Sequence, residues 1–164
     1  MNRPRRFLLP YFPCKKLNAI RVAHGSVKDA VIFSIDIDRK QRVVFCWDID
    51  VPSTVSPFDG KANLQIIKDN LSYLQDADLL IIEANTFEKT TGPKGKPTGH
   101  TSYKAAGEFI ALIDAKRVLL THLSGHEDGE GNPGFGRKDS AWETALACEA
   151  EGIGIAKTGM VTLL

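Results

Sequence analysis

Acidic and imidazole side chains stand at the ends of successive predicted strands. His24 ends the first strand, Asp48 the third, Glu83 the fourth and His122 the fifth, while His100 directly precedes a predicted helix. In open α/β sheets, catalytic and ligand-binding residues usually lie just beyond the carboxyl ends of the strands. A single histidine or aspartate there is usually a turn former, but the chain has only four histidines in all. Their joint placement predicts a functional site.

The residue types at these strand ends predict metal chemistry. Imidazole nitrogens together with a carboxylate suit a borderline metal such as zinc. A carboxylate between two histidines can bridge two ions about 3.5–4 Å apart, which would bind substrate oxygens and lower the pKa of a water molecule toward neutrality. The expected reaction is hydrolysis.

Hydrophobic periodicity predicts the elements that position these residues. Apolar residues recur at helical spacing in one stretch, at Leu64, Ile67, Leu71 and Leu74, and Asp139 is a good N-cap for a later helix. The order of elements predicts an α/β layered sheet in which some strands are antiparallel. The predicted strands are residues 17–24, 30–37, 42–48, 79–82, 117–122, 153–156 and 160–163, and the predicted helices are residues 62–75, 101–114 and a third from residue 139.

Length and charge limit the classes of protein. The chain has 164 residues, 43% of them hydrophobic, with 21 basic and 20 acidic side chains, which predicts one globular domain. A formal charge of +1 cannot by itself drive binding to a polyanion. Residues 1–16 are interpreted as a basic leader and residues 17–164 as the domain.

The cysteines and the N-terminus predict a cytoplasmic protein. Three cysteines (Cys14, Cys46 and Cys148), an odd number without paired spacing, favour a reducing compartment. The apolar residues at 7–9 are interrupted by Pro10, which makes the stretch too short for a signal peptide or a membrane span. No membrane association is expected.

Two glycine-rich stretches leave a nucleotide-binding domain open as an alternative. Residues 129–134 satisfy the pattern GxGxxG but lack the βαβ context of a dinucleotide site. Residues 92–98 have the composition of a phosphate loop without its spacing. Both stretches are interpreted as surface loops.

Five segments resemble, in order, the later motifs of metallo-β-lactamase-fold hydrolases, and most closely the branch of ribonuclease Z and the cyclic-phosphate phosphodiesterases. They are VAHG at 22–25, VVFCWD at 43–48, ADLLIIEANT at 77–86, GHTS at 99–102 and VLLTHLS at 118–124. The resemblance covers residues 17–163. It implies an αββα sandwich with a mixed sheet, two zinc ions and a phosphodiester substrate, either a small molecule or a nucleic acid.

The resemblance also implies a role for each candidate residue. His24, Asp48 and His122 correspond to metal ligands, with Asp48 bridging both ions. Glu83 and His100 correspond to a proton-relay pair in which His100 protonates the leaving oxygen. Such a general-acid step contributes about 10²–10⁴ in rate.

The motif HxHxDH, which supplies further ligands in this family, does not occur in the sequence. The resemblance therefore implies that the chain is the C-terminal portion of such a fold, a truncated or split hydrolase. A complementing N-terminal half or a homodimer is the expected partner. The alternative of a different class is a catalytically inactive remnant or interaction module whose exposed sheet face binds a partner.

Overall fold

The structure is a computed structural model, and it describes residues 5–7, 16–24, 27–38, 41–51, 61–85, 100–122 and 153–155. The helix predicted from Asp139, the strand predicted at 160–163 and both glycine-rich stretches lie outside the described residues. The elements that position the candidate site lie within them.

A single mixed sheet of seven strands forms the centre of the described chain, and the strands lie side by side in their order along the sequence. The runs of β-branched and aromatic residues from which strands were predicted do form strands in the structure. The strands are β1 (Arg5–Phe7), β2 (Lys16–His24), β3 (Val27–Asp38), β4 (Gln41–Cys46), β5 (Leu79–Glu83), β6 (Val118–Thr121) and β7 (Gly154–Ile155).

The first four strands are antiparallel. β2 pairs with β3 and β3 with β4, so the prediction that some strands are antiparallel is confirmed. β1 pairs with β2, so part of the segment interpreted as a leader joins the edge of the sheet. Because β3 runs opposite to both neighbours, β2 and β4 point in the same direction.

The remaining strands are parallel and are connected through helices. β4, β5, β6 and β7 pair in parallel, with α1 (Lys61–Asp69) between β4 and β5 and α2 (Tyr103–Ile113) between β5 and β6. Parallel connections of this kind are right-handed, which places successive helices on one face of a sheet. The core lies between that face and the helices, and includes Ile20, Ile32, Val44, Leu80, Ile82 and Leu120 from the sheet and Ile67, Leu74, Phe109 and Ile113 from the helical side.

The first helix differs from the prediction in length and in the face that it buries. The helix ends at Asp69 and a short 3-10 helix follows (Leu71–Tyr73). Asn70 explains the break, because its side chain donates to the carbonyl of Ile66 at 2.7 Å while its backbone N–H bonds to the carbonyl of Ile67. Leu64, one of the four apolar residues at helical spacing, is 38% exposed, whereas its neighbour Asn63 is buried.

The opposite face of the sheet carries apolar side chains that are less covered. Ile32 on β3 is fully buried against the helices, whereas its neighbour Phe33 points to the other face and is 41% exposed. Phe33 lies opposite Phe45 of β4 in the register of the sheet. The described part of the chain therefore has helices on one side of the sheet, and on the other side apolar side chains that range from buried (Val43 and Leu79) to exposed (Phe33).

Among the residues that the structure describes, neither helix has the length and hydrophobicity needed to cross a membrane.

Candidate metal centre

One edge of the sheet collects the candidate site residues, as the sequence predicted. β2, β4, β5 and β6 all end there. His24 is the last residue of β2 and Glu83 the last of β5. Asp48 follows the end of β4 by two residues, and His122 directly follows β6.

Glu83 is the centre of this group, and its side chain is fully buried. Its Oε1 accepts hydrogen bonds from the backbone N–H groups of Ile49 and Thr101, each at 3.0 Å. Its Oε2 lies 3.0 Å from Nδ1 of His100 and 3.1 Å from Nδ1 of His122. Four hydrogen bonds therefore fix the carboxylate at the junction of three segments.

These contacts determine the charge of Glu83. Burial by itself raises the pKa of the carboxyl group, but hydrogen bonds from His100, His122 and the N–H of Thr101 outweigh burial and hold the pKa of Glu83 below its ordinary value. Glu83 is therefore ionised near neutral pH.

The charge of Glu83 in turn determines the histidine tautomers. An ionised carboxylate can only accept hydrogen bonds, so the Nδ1 atoms of both His100 and His122 must carry the proton. In the neutral rings, Nε2 then carries the lone pair. A carboxylate that fixes the tautomer of a histidine in this way is the usual outer partner of a metal-binding imidazole.

Asp48 adds a second carboxylate beside the histidines. Its Oδ1 lies 2.7 Å from Nδ1 of His122 and 3.9 Å from Nδ1 of His100, and the Asp48 side chain is 52% exposed. The hydrogen bond to Glu83, together with the charges of Asp48 and Glu83, raises the pKa of His122 above its ordinary value although partial burial acts in the other direction. This edge of the sheet therefore attracts positive charge.

The backbone at Asp48 and at His122 has an unusual conformation. Both residues are left-handed, with φ of 46° for Asp48 and 54° for His122. Residues other than glycine seldom adopt positive φ, although aspartate, asparagine and histidine do so more often than others. Each left-handed residue follows the end of a strand, and the side chains of Asp48 and His122 lie against each other.

The donor set fits a divalent metal ion. One ligand atom from each of Asp48, Glu83, His100 and His122 can be chosen so that all four lie within 4.8 Å of one another. Two imidazoles and two carboxylates match the ligands that zinc prefers. The group combines two of the predicted ligands with the predicted proton-relay pair.

The third predicted ligand, His24, lies next to this group and not within it. The ring of His24 contacts the ring of His100 edge to face, with 4.8 Å between ring centroids, and His100 contacts His122 in the same way at 5.0 Å. The structure thus brings all five predicted residues to one place.

Two buried polar residues near the centre were missed by the sequence analysis. The hydroxyl of Thr101 donates to the carbonyl of Ile49 at 2.7 Å and accepts from the N–H of Val51, which ties the start of α2 to the segment after β4. The side chain of Asn63 holds that segment and the end of β2. A signal for Asn63 exists, because it lies four residues before the buried Ile67, on the same face of α1.

Comparison with solved structures identifies the fold. The metallo-β-lactamase fold protein YhfI from Bacillus subtilis superposes on 95% of this chain with a TM-score of 0.58 and 20% sequence identity. The short form of human tRNase Z superposes on 96% with a TM-score of 0.56 and 22% identity. The chain spans 51% and 46% of these structures, respectively. The described residues therefore have the metallo-β-lactamase fold, and the predicted incomplete αββα sandwich with a mixed sheet is confirmed.

Sequence comparison points to a particular branch of this fold. No protein-family profile matches the chain. A ribonuclease Z from Gemmatimonas aurantiaca is 30% identical over 105 residues, which are 64% of this chain and 28% of that protein. The resemblance to the ribonuclease Z branch is thereby confirmed, and the chain spans less than a third of the length of this relative.

Proposed function

We propose that the chain forms part of a zinc-dependent phosphodiesterase centre of the ribonuclease Z type. The observation that carries the proposal is the convergence of Asp48, Glu83, His100 and His122 at one sheet edge, with ligand atoms within 4.8 Å of one another. The similarity to ribonuclease Z and the metallo-β-lactamase fold support the same function.

In this proposal two members of that group, Asp48 and His122, hold the metal together with His24, which packs against the ring of His100, while Glu83 and His100 do not bind the metal. Asp48 and His122 present a carboxylate oxygen and an imidazole on two left-handed turns that face each other. A bound divalent ion would polarise the phosphoryl oxygen of the substrate and make a water molecule a stronger acid. Three protein ligands are the usual number for one catalytic zinc ion.

Glu83 and His100 form the proposed catalytic pair. Glu83 holds the proton on Nδ1 of His100 and orients the ring. His100 would then donate a proton from Nε2 to the leaving oxygen as the phosphodiester bond breaks. This orientation is rigid because the carboxylate of Glu83 is buried and its Oε1 accepts hydrogen bonds from two backbone N–H groups.

The proposed substrate is a phosphodiester, and a nucleic acid is its favoured form because the relatives with matching sequence are ribonucleases Z. The overall charge of +1 contributes little to binding such a polyanion. Recognition of phosphate would therefore depend on the metal and on nearby cationic side chains.

The test measures zinc content and hydrolysis together. Full-length protein purified without added chelator is analysed for zinc and assayed with a bis-aryl phosphodiester and with an RNA substrate. The proposal expects at least one zinc ion per chain and hydrolysis that a chelator abolishes. Protein with less than one zinc ion per chain and no hydrolysis would contradict a centre that works in this chain alone. A His122→Ala variant with unchanged zinc content and hydrolysis would contradict the site itself.

A second candidate function is an interaction module without activity. Phe33 is 41% exposed on the sheet face opposite the helices, and Trp47, just after β4, is 53% exposed. Exposed apolar surface of this kind is found where proteins bind a partner or a second copy of themselves. Zinc content and hydrolysis separate the candidates, since only the hydrolase needs a bound metal to function.

We also propose a cytoplasmic location. Cys46 is a free cysteine, fully buried, and burial raises the pKa of its thiol far above the ordinary value. A buried, protonated thiol is inert and needs no disulfide partner. This state fits the reducing compartment that the odd number of cysteines predicts.

A further inference from the structure

Asn63 contacts two of the segments that carry the metal centre without belonging to it. The residue lies in the first turn of α1, and its side chain is 1% exposed. Its Oδ1 accepts from the N–H of Ala23 at 2.7 Å, and its Nδ2 donates to the carbonyls of Ala23 at 2.9 Å and of Asp50 at 2.7 Å. Ala23 directly precedes His24, and Asp50 follows Asp48 by two residues.

The two bonds with Ala23 reproduce the pairing of an antiparallel strand. The amide of Asn63 offers one acceptor and one donor to the N–H and C=O of the same residue, as a neighbouring strand would. This pairing occurs where the ladder between β2 and β3 is irregular, since its register shifts between Val22 and His24. Asn63 therefore fixes the end of β2 at the point where the sheet holds it least.

The three backbone groups that the Asn63 side chain contacts require an amide of this length. The Ala23 N–H needs an acceptor, and two carbonyls need donors, which a carboxamide supplies on one planar group. Aspartate has the same shape but would place a charged oxygen against two carbonyl oxygens. Glutamine has the same groups but is one methylene longer, and an apolar side chain would leave three buried backbone groups unsatisfied.

We propose that Asn63 is a positioning residue that sets the spacing between His24 and Asp48 and thereby the metal affinity of the centre. The proposal rests on the proposed function. Asn63 acts through the backbone on either side of the ligands, so its removal changes where the ligands stand and leaves their chemistry unchanged. Residues that orient metal ligands from outside typically change metal affinity about 10- to 100-fold when mutated.

The test compares Asn63→Asp with Asn70→Asp in the full chain. Asn70, the residue after α1, is a matched control because it is also buried (3% exposed) and donates through Nδ2 to a backbone carbonyl, that of Ile66 within the same helix. Metal binding is measured by titration with Co²⁺, whose visible absorption spectrum reports the ligand geometry. Stability is measured by urea denaturation of the metal-free protein.

We expect Asn63→Asp to weaken Co²⁺ binding about 10- to 100-fold and to change the absorption spectrum. We expect Asn70→Asp to lower the urea midpoint while Co²⁺ affinity and spectrum stay as in the wild type. If Asn63→Asp does not fold, Asn63→Ala, which removes the clash with the carbonyls, is expected to show the same loss of affinity.

The positioning role would be overturned if an Asn63 variant were less stable but kept the Co²⁺ affinity and absorption spectrum of the wild type. Absence of Co²⁺ and Zn²⁺ binding by the wild-type protein would instead overturn the proposed function together with it. The two failures are therefore distinguishable.

Discussion

Oδ1 of Asp48 lies 2.7 Å from Nδ1 of His122, and both residues have left-handed backbone conformations although they follow different strands. In L-residues this conformation costs roughly 1–2 kcal/mol each. Two such turns at one place suggest a conformation retained for function, since strained backbone conformations cluster at functional sites.

The first prediction uses asparagine at these two positions because asparagine tolerates the left-handed conformation. Asp48→Asn and His122→Asn should each keep the turn and remove a ligand atom, so zinc affinity should fall by at least about 10-fold. Zinc binding is measured by competition with a chromophoric chelator. Asp114→Asn is the control, because Asp114 is also left-handed (φ 52°) and ends α2. Equal zinc affinity in all three variants would contradict the ligand assignment.

The second prediction concerns the charge of Glu83. In Glu83→Gln, one oxygen can still accept from Ile49 and Thr101, but the amide N–H₂ would face Nδ1 of His100 and His122. Those nitrogens would then have to accept, which moves the proton of each ring to Nε2. We expect hydrolysis to fall about 10²- to 10⁴-fold and zinc affinity to fall as well.

Turnover and zinc content of Glu83→Gln are compared with those of Glu108→Gln, the same change on α2. NMR of ¹⁵N-labelled imidazoles reports the tautomer directly. Retention of the Nδ1–H tautomer in Glu83→Gln would show that Glu83 does not set it.

The third prediction is a pH dependence of stability in the metal-free protein. The pKa of His122 is raised from 6.5, so the stabilisation it provides is complete below about pH 6.5 and is lost as pH rises through the higher folded-state pKa. The pKa of Glu83 is lowered from 4.5, so its stabilisation is complete above about pH 4.5 and is lost as pH falls through the lower folded-state pKa. These groups together favour folding most between the two ordinary values.

Zinc should change this profile. A metal ligand must be deprotonated, so zinc displaces the proton of His122 and competes less well at low pH. The zinc-induced rise in Tm should therefore increase with pH through the raised pKa of His122. If the zinc-induced rise in Tm were the same at every pH, both in the wild type and in His122→Asn, zinc binding would not be coupled to the protonation of His122.

The fourth prediction tests the second helix away from the centre. Gly107 lies inside α2, and a Cβ atom at this position would meet nothing within 4 Å. Gly107→Ala should raise the free energy of unfolding by about 0.5–1 kcal/mol, because glycine loses more backbone entropy on folding. Ala111→Gly, at an exposed position of the same helix, should lower it by a similar amount. Both are measured by urea denaturation, and a loss of stability in Gly107→Ala would contradict the helix geometry.

The placement of the candidate side chains at one edge of the sheet could be predicted from the sequence, because apolar runs that stop at a polar residue show where each strand ends. Glu83 and His122 needed only the recognition of apolar runs that stop at a polar residue. Asn63 was missed because hydrophobic periodicity assigned Leu64 to the core. A polar side chain whose hydrogen bonds are all satisfied can be buried as an apolar side chain is, but hydrophobic periodicity counts only apolar residues.

The hydrogen-bond arrangement around Glu83 also lay beyond the sequence. The resemblance paired Glu83 with His100, whereas the structure shows Oε2 shared between His100 and His122. Which ring a carboxylate contacts depends on the positive φ at His122, and no pattern of residue types specifies that angle.

The sheet has its strands in the order of the chain, so each new strand pairs with the one made just before it. During synthesis, β2, β3, β4 and β5 can add to the growing edge as they leave the ribosome, at about 5–20 residues per second. His24, Asp48 and Glu83 would already be in place while His122 is still being made. The nascent chain would thus complete the proposed ligand set only when β6 joins, after most of the described sheet has formed.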